Sequence, residues 1–308
     1  HRPGISATPF DVLPIGCAAM TDPAPVRPTP ASSAEASGKG FEKEVVDEQL
    51  AHQKRERWLS WAIGLAFALV FLGGWEAIAR ARLIDPLFIS DPVSVGKALI
   101  ANLATPSIWK DAWATASTAT GGLVLGAIVG IPAGIAFHAF PALRRGLSPF
   151  VVIFNSLPRP ALAPIFILWF GLGAYAKLAV SFSLVFFVML LNTLAGLAKV
   201  DPDIDQLARS LGMSGWRRFR HIDLMSALPS IIAGLRLSAV YSVLGVVVAE
   251  IVASYHGLGQ RLTIDTNSMA IASAFSILFI MTVVAMVLDY GVSLLERIVQ
   301  WQGANPRE

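Results

Sequence analysis

Charge is scarce in this sequence. Of its 308 residues 15% are charged, while 55% are hydrophobic and the mean hydropathy is +0.61. Soluble domains carry about 25% charged residues, so the deficit points to lipid as solvent. Cysteine is scarcer still: Cys17 alone excludes an internal disulfide framework or a cysteine-rich metal site. A P-loop is missing too. The Gly-Lys pairs Gly38–Lys39 and Gly96–Lys97 lack the following Ser or Thr and the glycine five residues upstream. His138, His221 and His256 sit at span ends or in loops, with no metal-ligand pair or Ser–His set at workable spacing. The chain is therefore not expected to be an enzyme or to bind a metal or cofactor of its own. A pI near 9.2 does not argue for nucleic acid, because the net charge is only +3 and membrane proteins concentrate Lys and Arg in cytoplasmic loops.

Residues 1–50 are a different material. From Met20 to Gly40 the chain reads MTDPAPVRPTPASSAEASGKG, with almost nothing to bury, so this tail is expected to be disordered. The chain opens at His1, and Met20 is a second candidate for the start. The LPIGC around Cys17 lacks the preceding apolar run of a lipoprotein signal.

Long runs with no charge or almost none are what the rest of the chain has in abundance. A helix needs about 20 mostly apolar residues to cross a bilayer. Residues 51–302 supply such stretches at about 58–79, 112–138, 147–172, 177–198, 229–253 and 266–290, which predicts an all-α bundle of six spans. With the N-terminus inside, the inner loops hold twice as many Lys and Arg as the outer ones, so both termini are expected in the cytoplasm. In the second span Gly122, Gly126, Gly130 and Gly134 form one stripe, for close packing within one subunit or for a dimer seam. Asp91 and Pro92 begin a short helix whose face of Val95, Ala98, Leu99 and Leu103 is interrupted only by Asn102, and it is expected along the outer surface.

The stretch 201–228 rises out of the apolar sequence. Asp201 caps and Pro202 starts a helix with an apolar stripe of Ile204, Leu207, Ala208 and Leu211, and Gly212 ends it. Ser214 caps a second, basic helix carrying Trp216 and Phe219, and Pro229 opens the next span. A helix-turn-helix for DNA is excluded by tethering to the headgroups, whose own charge competes for the arginines. A topological anchor, or a helical ligand presenting Leu207, Ala208 and Leu211 to a soluble partner, remain open.

QLARSLGMSGWRRFRHIDLMSALPSI (206–231) resembles the loop signature of permease subunits of bacterial ATP-driven (ABC) importers: Glu-Ala-Ala, three residues, Gly, then a spacer ending in Leu-Pro. Gly212 matches the glycine, Ala208 the second alanine and Pro229 the proline just beyond. Gln206 stands in place of the glutamate, for which Asp205 is a substitute, and Met225 in place of the first proline. LPRPALAPIFILWFGLGAYAK (157–177) and VVVAEIVASYHGLGQRL (246–262) resemble the branch that carries nitrate, sulfonates, taurine and vitamin precursors. The resemblance implies a type I importer permease in the bacterial inner membrane. It implies a coupling loop seated in a separate ATPase that binds ATP and Mg, two copies of that ATPase and of this chain, and a periplasmic solute-binding protein.

The translocation path has its own candidates. Pro158, Pro160 and Pro164 break the third span around Arg159, and broken backbone at membrane depth must face protein or a water-filled cavity. Arg159 either attracts an anionic solute or binds carbonyls freed by the break. Asn155, Ser156, Asn192, Tyr241 and Glu250 are the other candidates, with Glu250 at a gate or helix contact. The rival function is an ion-coupled secondary transporter, which would place carboxylates at the midplane; there the sequence offers only Arg159.

Overall fold

The computed structural model of the chain describes residue 56 and residues 58–81 and 89–303. The tail, Cys17 and Met20 lie outside the described residues. Among the described residues every regular element is helical. They run α1 Trp58–Arg80, α2 Pro92–Leu103, α3 Pro106–Ala139, α4 Pro141–Ser156, a 3₁₀ turn Arg159–Leu162 and α5 Ala163–Phe170. Then come α6 Ala174–Leu197, α7 Pro202–Ser210, α8 Gly215–Arg218, a π turn Phe219–Asp223, α9 Leu224–Val252, α10 Leu258–Asn267 and α11 Ile271–Gly303.

Five of these runs are long and apolar enough to cross a bilayer: α1, α3, α6, α8 through α9, and α11. Helices satisfy their own backbone groups, which lipid cannot do. The stretch 147–172, read from sequence as one span, belongs to two segments, α4 and the 3₁₀–α5 pair, that meet at 84°. The chain divides at Ala68, and up to that residue the described part of α1 is apolar and exposed. Beyond it, Trp75 of α1 packs on Phe275 of α11 at 5.5 Å between ring centres and donates its indole N–H to the Ser90 carbonyl at 2.9 Å.

The centre of the bundle is α6, gripped between α3 and α9. Added Cβ atoms on the α3 stripe would stand 2.5 Å from Ser181 Cβ (Gly122), 2.6 Å from Val185 Cβ (Gly126), 2.8 Å from Met189 Cβ (Gly130) and 2.7 Å from Thr193 Cβ (Gly134). All four glycines are buried against α6 of the same chain. On the other side a Cβ at Gly245 of α9 would lie 2.8 Å from Ser181 Cα, and one at Gly196 of α6 would lie 2.9 Å from the Ala227 carbonyl oxygen. Lipid removes the hydrophobic drive between helices, so backbone contact of this kind supplies the packing. Leu123, Val185, Met189, Ala227, Ile231 and Val292 fill the core beside it.

Several boundaries differ from the sequence reading for local reasons. α3 starts at Pro106 rather than near 112, with the proline at the first helical position; the charged Asp111 inside it is engaged by Arg261 and by the Gly257 N–H. Pro229 does not open a span. It lies inside α9, which begins at Leu224 directly after the π turn, and it forfeits one helical bond. Thr266 and Asn267 end α10, and a turn with Met269 at φ 57° separates them from α11, so an uncharged run conceals a change of direction. On α2, Asn102 donates to Ser273 and Ser276 of α11 at 3.0 and 2.6 Å, which explains the polar break in its apolar face. Arg236 reaches Asp289 and Glu296 of α11 at 3.5 and 3.6 Å.

Candidate functional site

The hairpin between α6 and α9 is capped at every end. Asp201 accepts from the Asp203 N–H at 2.9 Å, with Pro202 at the first helical position. At the other end of α7, Gly212 has φ +68°. The Gly212 N–H donates to the Arg209 carbonyl at 3.0 Å and the Met213 N–H to the Ala208 carbonyl at 3.1 Å. These paired bonds are the Schellman arrangement, which needs the left-handed residue that only glycine adopts without strain. Ser214 accepts from the Arg217 N–H at 3.4 Å and starts α8.

This scaffold holds large apolar side chains in solvent. Leu207 is 60% exposed, Leu211 72% and Trp216 73%. Gln206 is exposed as well, and Asp205 lies in α7. Ala208 departs from the sequence reading: at 3% exposure it is buried, not presented outward, although it shares the stripe with Leu207 and Leu211. Phe219 also turns inward, packing on the central core and stacking on Trp216 at 5.8 Å. Pro229 is exposed on α9. Beneath the hairpin Arg218 reaches Asp223 at 3.8 Å, five residues on as in a π turn, beside a cavity of about 410 Å³ that His138 and Ile135 of α3 help to line.

A second constellation surrounds Arg159. The residue is 9% exposed, and its Nη2 donates to the Asn155 carbonyl at 3.2 Å and to Asn155 Oδ1 at 2.5 Å. Its guanidinium carbon stands 4.5 Å from the centre of the Phe187 ring of α6, a cation–π geometry. Asn155 and Ser156 are exposed on the last turn of α4, and Tyr241 is half-buried on α9. Asn192 is occupied elsewhere: its Nδ2 donates to the Val188 carbonyl at 2.8 Å and its side chain packs on Gly234 of α9.

Glu250, read from sequence beside these residues, lies apart from them near the far end of α9 and is 1% exposed. Its Oε1 accepts from Lys177 Nζ at 3.1 Å and its Oε2 from the Gly259 N–H at 2.9 Å, while Thr115 Oγ1 lies 3.0 and 2.9 Å from the two oxygens. Thr115 in turn accepts from the Leu258 N–H at 3.0 Å, and Lys177 donates to the His256 carbonyl at 2.5 Å. Gly257, at φ +126°, lies against the carboxylate so closely that a side chain there would overlap it. The carboxylate is thus enclosed by α3, α6, α9 and α10 with no face left for a passing solute. Sequence reasoning missed Lys177 and Thr115. The available signal was a lysine opening one span and a glutamate closing another at the same end of the bundle. Among the described residues no group of three His, Cys, Asp or Glu is placed to hold a metal.

These features define a multi-pass membrane protein with a capped, exposed hairpin between two of its apolar helices. Residues 122–300 match the family described as binding-protein-dependent transport system inner membrane component, and the chain belongs to that family. It resembles the taurine transport system permease protein of Escherichia coli (strain K12), 28% identical over 84% of this chain and 98% of that one. A putative aliphatic sulfonates transport permease protein of Bacillus subtilis (strain 168) is 28% identical over 79% and 89%. The formylaminopyrimidine transport permease protein of Halalkalibacterium halodurans is 30% identical over 63% and 76%. In fold the chain is similar to an inward-facing MetNI methionine ABC transporter structure, with TM-score 0.54 and 18% identity over 64% of this chain and 99% of that one. The chain is accordingly an inner-membrane permease of the ABC importer class, a transport subunit and not an enzyme.

Proposed function

We propose that this chain is one half of a homodimeric import channel, moved by two separate ATP-binding subunits that hold its 201–228 hairpins and use ATP and Mg. The hairpin faces the cytoplasm, as do both termini, and a periplasmic binding protein delivers a small solute to the opposite face. Residues 1–50 form a cytoplasmic tail and 51–302 the permease domain. The observation that carries the reading is the exposure of Leu207, Leu211 and Trp216 on a helix pair locked by caps at both ends. Burying each such side chain in a partner's groove is worth about 1.5–3 kcal/mol, and a pre-ordered helix loses little entropy on docking. Direct continuation through the π turn into α9 gives a displaced hairpin a mechanical path into the bundle.

The transported solute belongs to the range named for the relatives, which includes taurine, aliphatic sulfonates and formylaminopyrimidine. Arg159, Asn155, Ser156 and Tyr241 are the residues assigned to the path, with Asn192 behind them. The test is copurification of the ATP-binding subunit. Leu211→Asp and Gly212→Pro are expected to abolish it, the first by charging the docking face and the second by forbidding the left-handed turn. Retention at wild-type levels would overturn the coupling role.

A further inference from the structure

The break between α4 and α5 presents an electrostatic imbalance. Arg159 is nine-tenths buried, yet among the described residues no carboxylate pairs with it. Its partners are neutral: the Asn155 carbonyl and amide oxygens and the Phe187 ring. Its Nε is enclosed without any acceptor. Among the described residues the other buried cation, Lys177, has Glu250 at 3.1 Å. A permanently charged guanidinium without a counter-ion is costly at membrane depth and persists where the missing charge arrives from outside.

We infer that Arg159 is a binding point for the oxyanion group of the transported solute, a sulfonate or carboxylate. Asn155 Oδ1 occupies the position that an anion oxygen takes on Nη2, and Asn155 is itself exposed, so its amide can swing away as the solute enters. The planar guanidinium then offers parallel N–H donors to two oxygens, a geometry that a lysine ammonium lacks. Phe187 keeps the opposite face dry and fixes the plane of the fork. This inference rests on the importer reading for its solute and makes that solute's charged end the feature the membrane subunit reads.

The test is made on the intact permease–ATPase complex in nanodiscs, in a Cys17→Ser background with Ser156→Cys as reporter. Two thiol reagents of similar size and opposite charge, 2-sulfonatoethyl and 2-(trimethylammonium)ethyl methanethiosulfonate, are compared by labelling rate. The anion-to-cation ratio is expected to fall about tenfold in Arg159→Gln and to remain near its original value in Arg159→Lys, since charge rather than shape sets the local potential. Methanesulfonate is expected to slow labelling when Arg159 is present and to have no effect in Arg159→Gln. An unchanged ratio in Arg159→Gln, or no protection by methanesulfonate with Arg159 in place, overturns the inference. If Arg159→Gln does not assemble, methanesulfonate protection in the Arg159 background decides alone. Loss of the ATPase from Leu211→Asp is a separate measurement, so a failed coupling role and a failed anion site are told apart.

Discussion

Among the described residues two cations are buried, and they are treated in opposite ways. Lys177 donates to a carboxylate and a carbonyl, and that carboxylate is held in turn by Thr115 and the Gly259 N–H, whereas Arg159 meets one asparagine and one aromatic ring. A fully satisfied buried pair fixes geometry: it ties the ends of α3, α6, α9 and α10 into one block. A charge left with neutral partners fixes little and waits for a ligand. The pairing of Lys177 with Glu250 is thus architecture, while Arg159, with neutral partners only, is the residue proposed to meet the solute.

Substitutions can break that contrast. Removing one partner of the buried pair, as in Lys177→Met or Glu250→Leu, is expected to cost about 3–5 kcal/mol by stranding the other charge. It should appear as a large drop in the melting temperature of the purified complex, while Lys177→Met with Glu250→Leu should recover most of the loss. Gly257→Ala is expected to cost about 1–3 kcal/mol, because it inserts a methyl group onto the Glu250 carboxylate at a left-handed backbone position. A melt equal to wild type would show that the loop does not enclose the carboxylate. Arg159→Met should behave differently: relief of an uncompensated charge offsets the lost hydrogen bonds, leaving stability within about 1 kcal/mol of wild type and the melt nearly unchanged while anion uptake fails.

The smallest effect is expected at Asp91, outside the spans. The Ser94 hydroxyl and N–H hold its carboxyl below the ordinary aspartate value of 3.8. A lowered folded-state value means that the cap stabilises α2 above the unfolded value and is lost as pH falls through the folded one. Protection of α2 amides, corrected for the intrinsic exchange rate, should therefore fall only as the pH drops below 3.8, and Asp91→Ala should remove that pH dependence.

Much of this was legible in the chain. The predominantly apolar runs at 177–198 and 229–253 announced α6 and most of α9, because lipid leaves few alternatives to an apolar helix. The stop at Gly212 and the caps at Asp201 and Ser214 were readable from local chemistry alone. The rest depends on neighbours distant in sequence. The polar α10 is distinct from the apolar α11, but the break at Met269 was not readable, since no charge lies between Asp265 and Asp289 to mark it. Periodicity put Ala208 on the same stripe as Leu207 and Leu211, but periodicity fixes only angles around α7, not how close the bundle comes. The pairing of Lys177 with Glu250 was not readable because the two lie 73 residues apart.

The most direct test of the account is a photo-crosslink from the hairpin. With Leu211 replaced by p-benzoylphenylalanine in membranes containing the whole transporter, irradiation should join the chain to its ATP-binding subunit, with a yield that changes when ATP is added. Irradiation that joins it only to lipid, or to a protein on the periplasmic side, would contradict the hairpin's role as the handle of a separate motor.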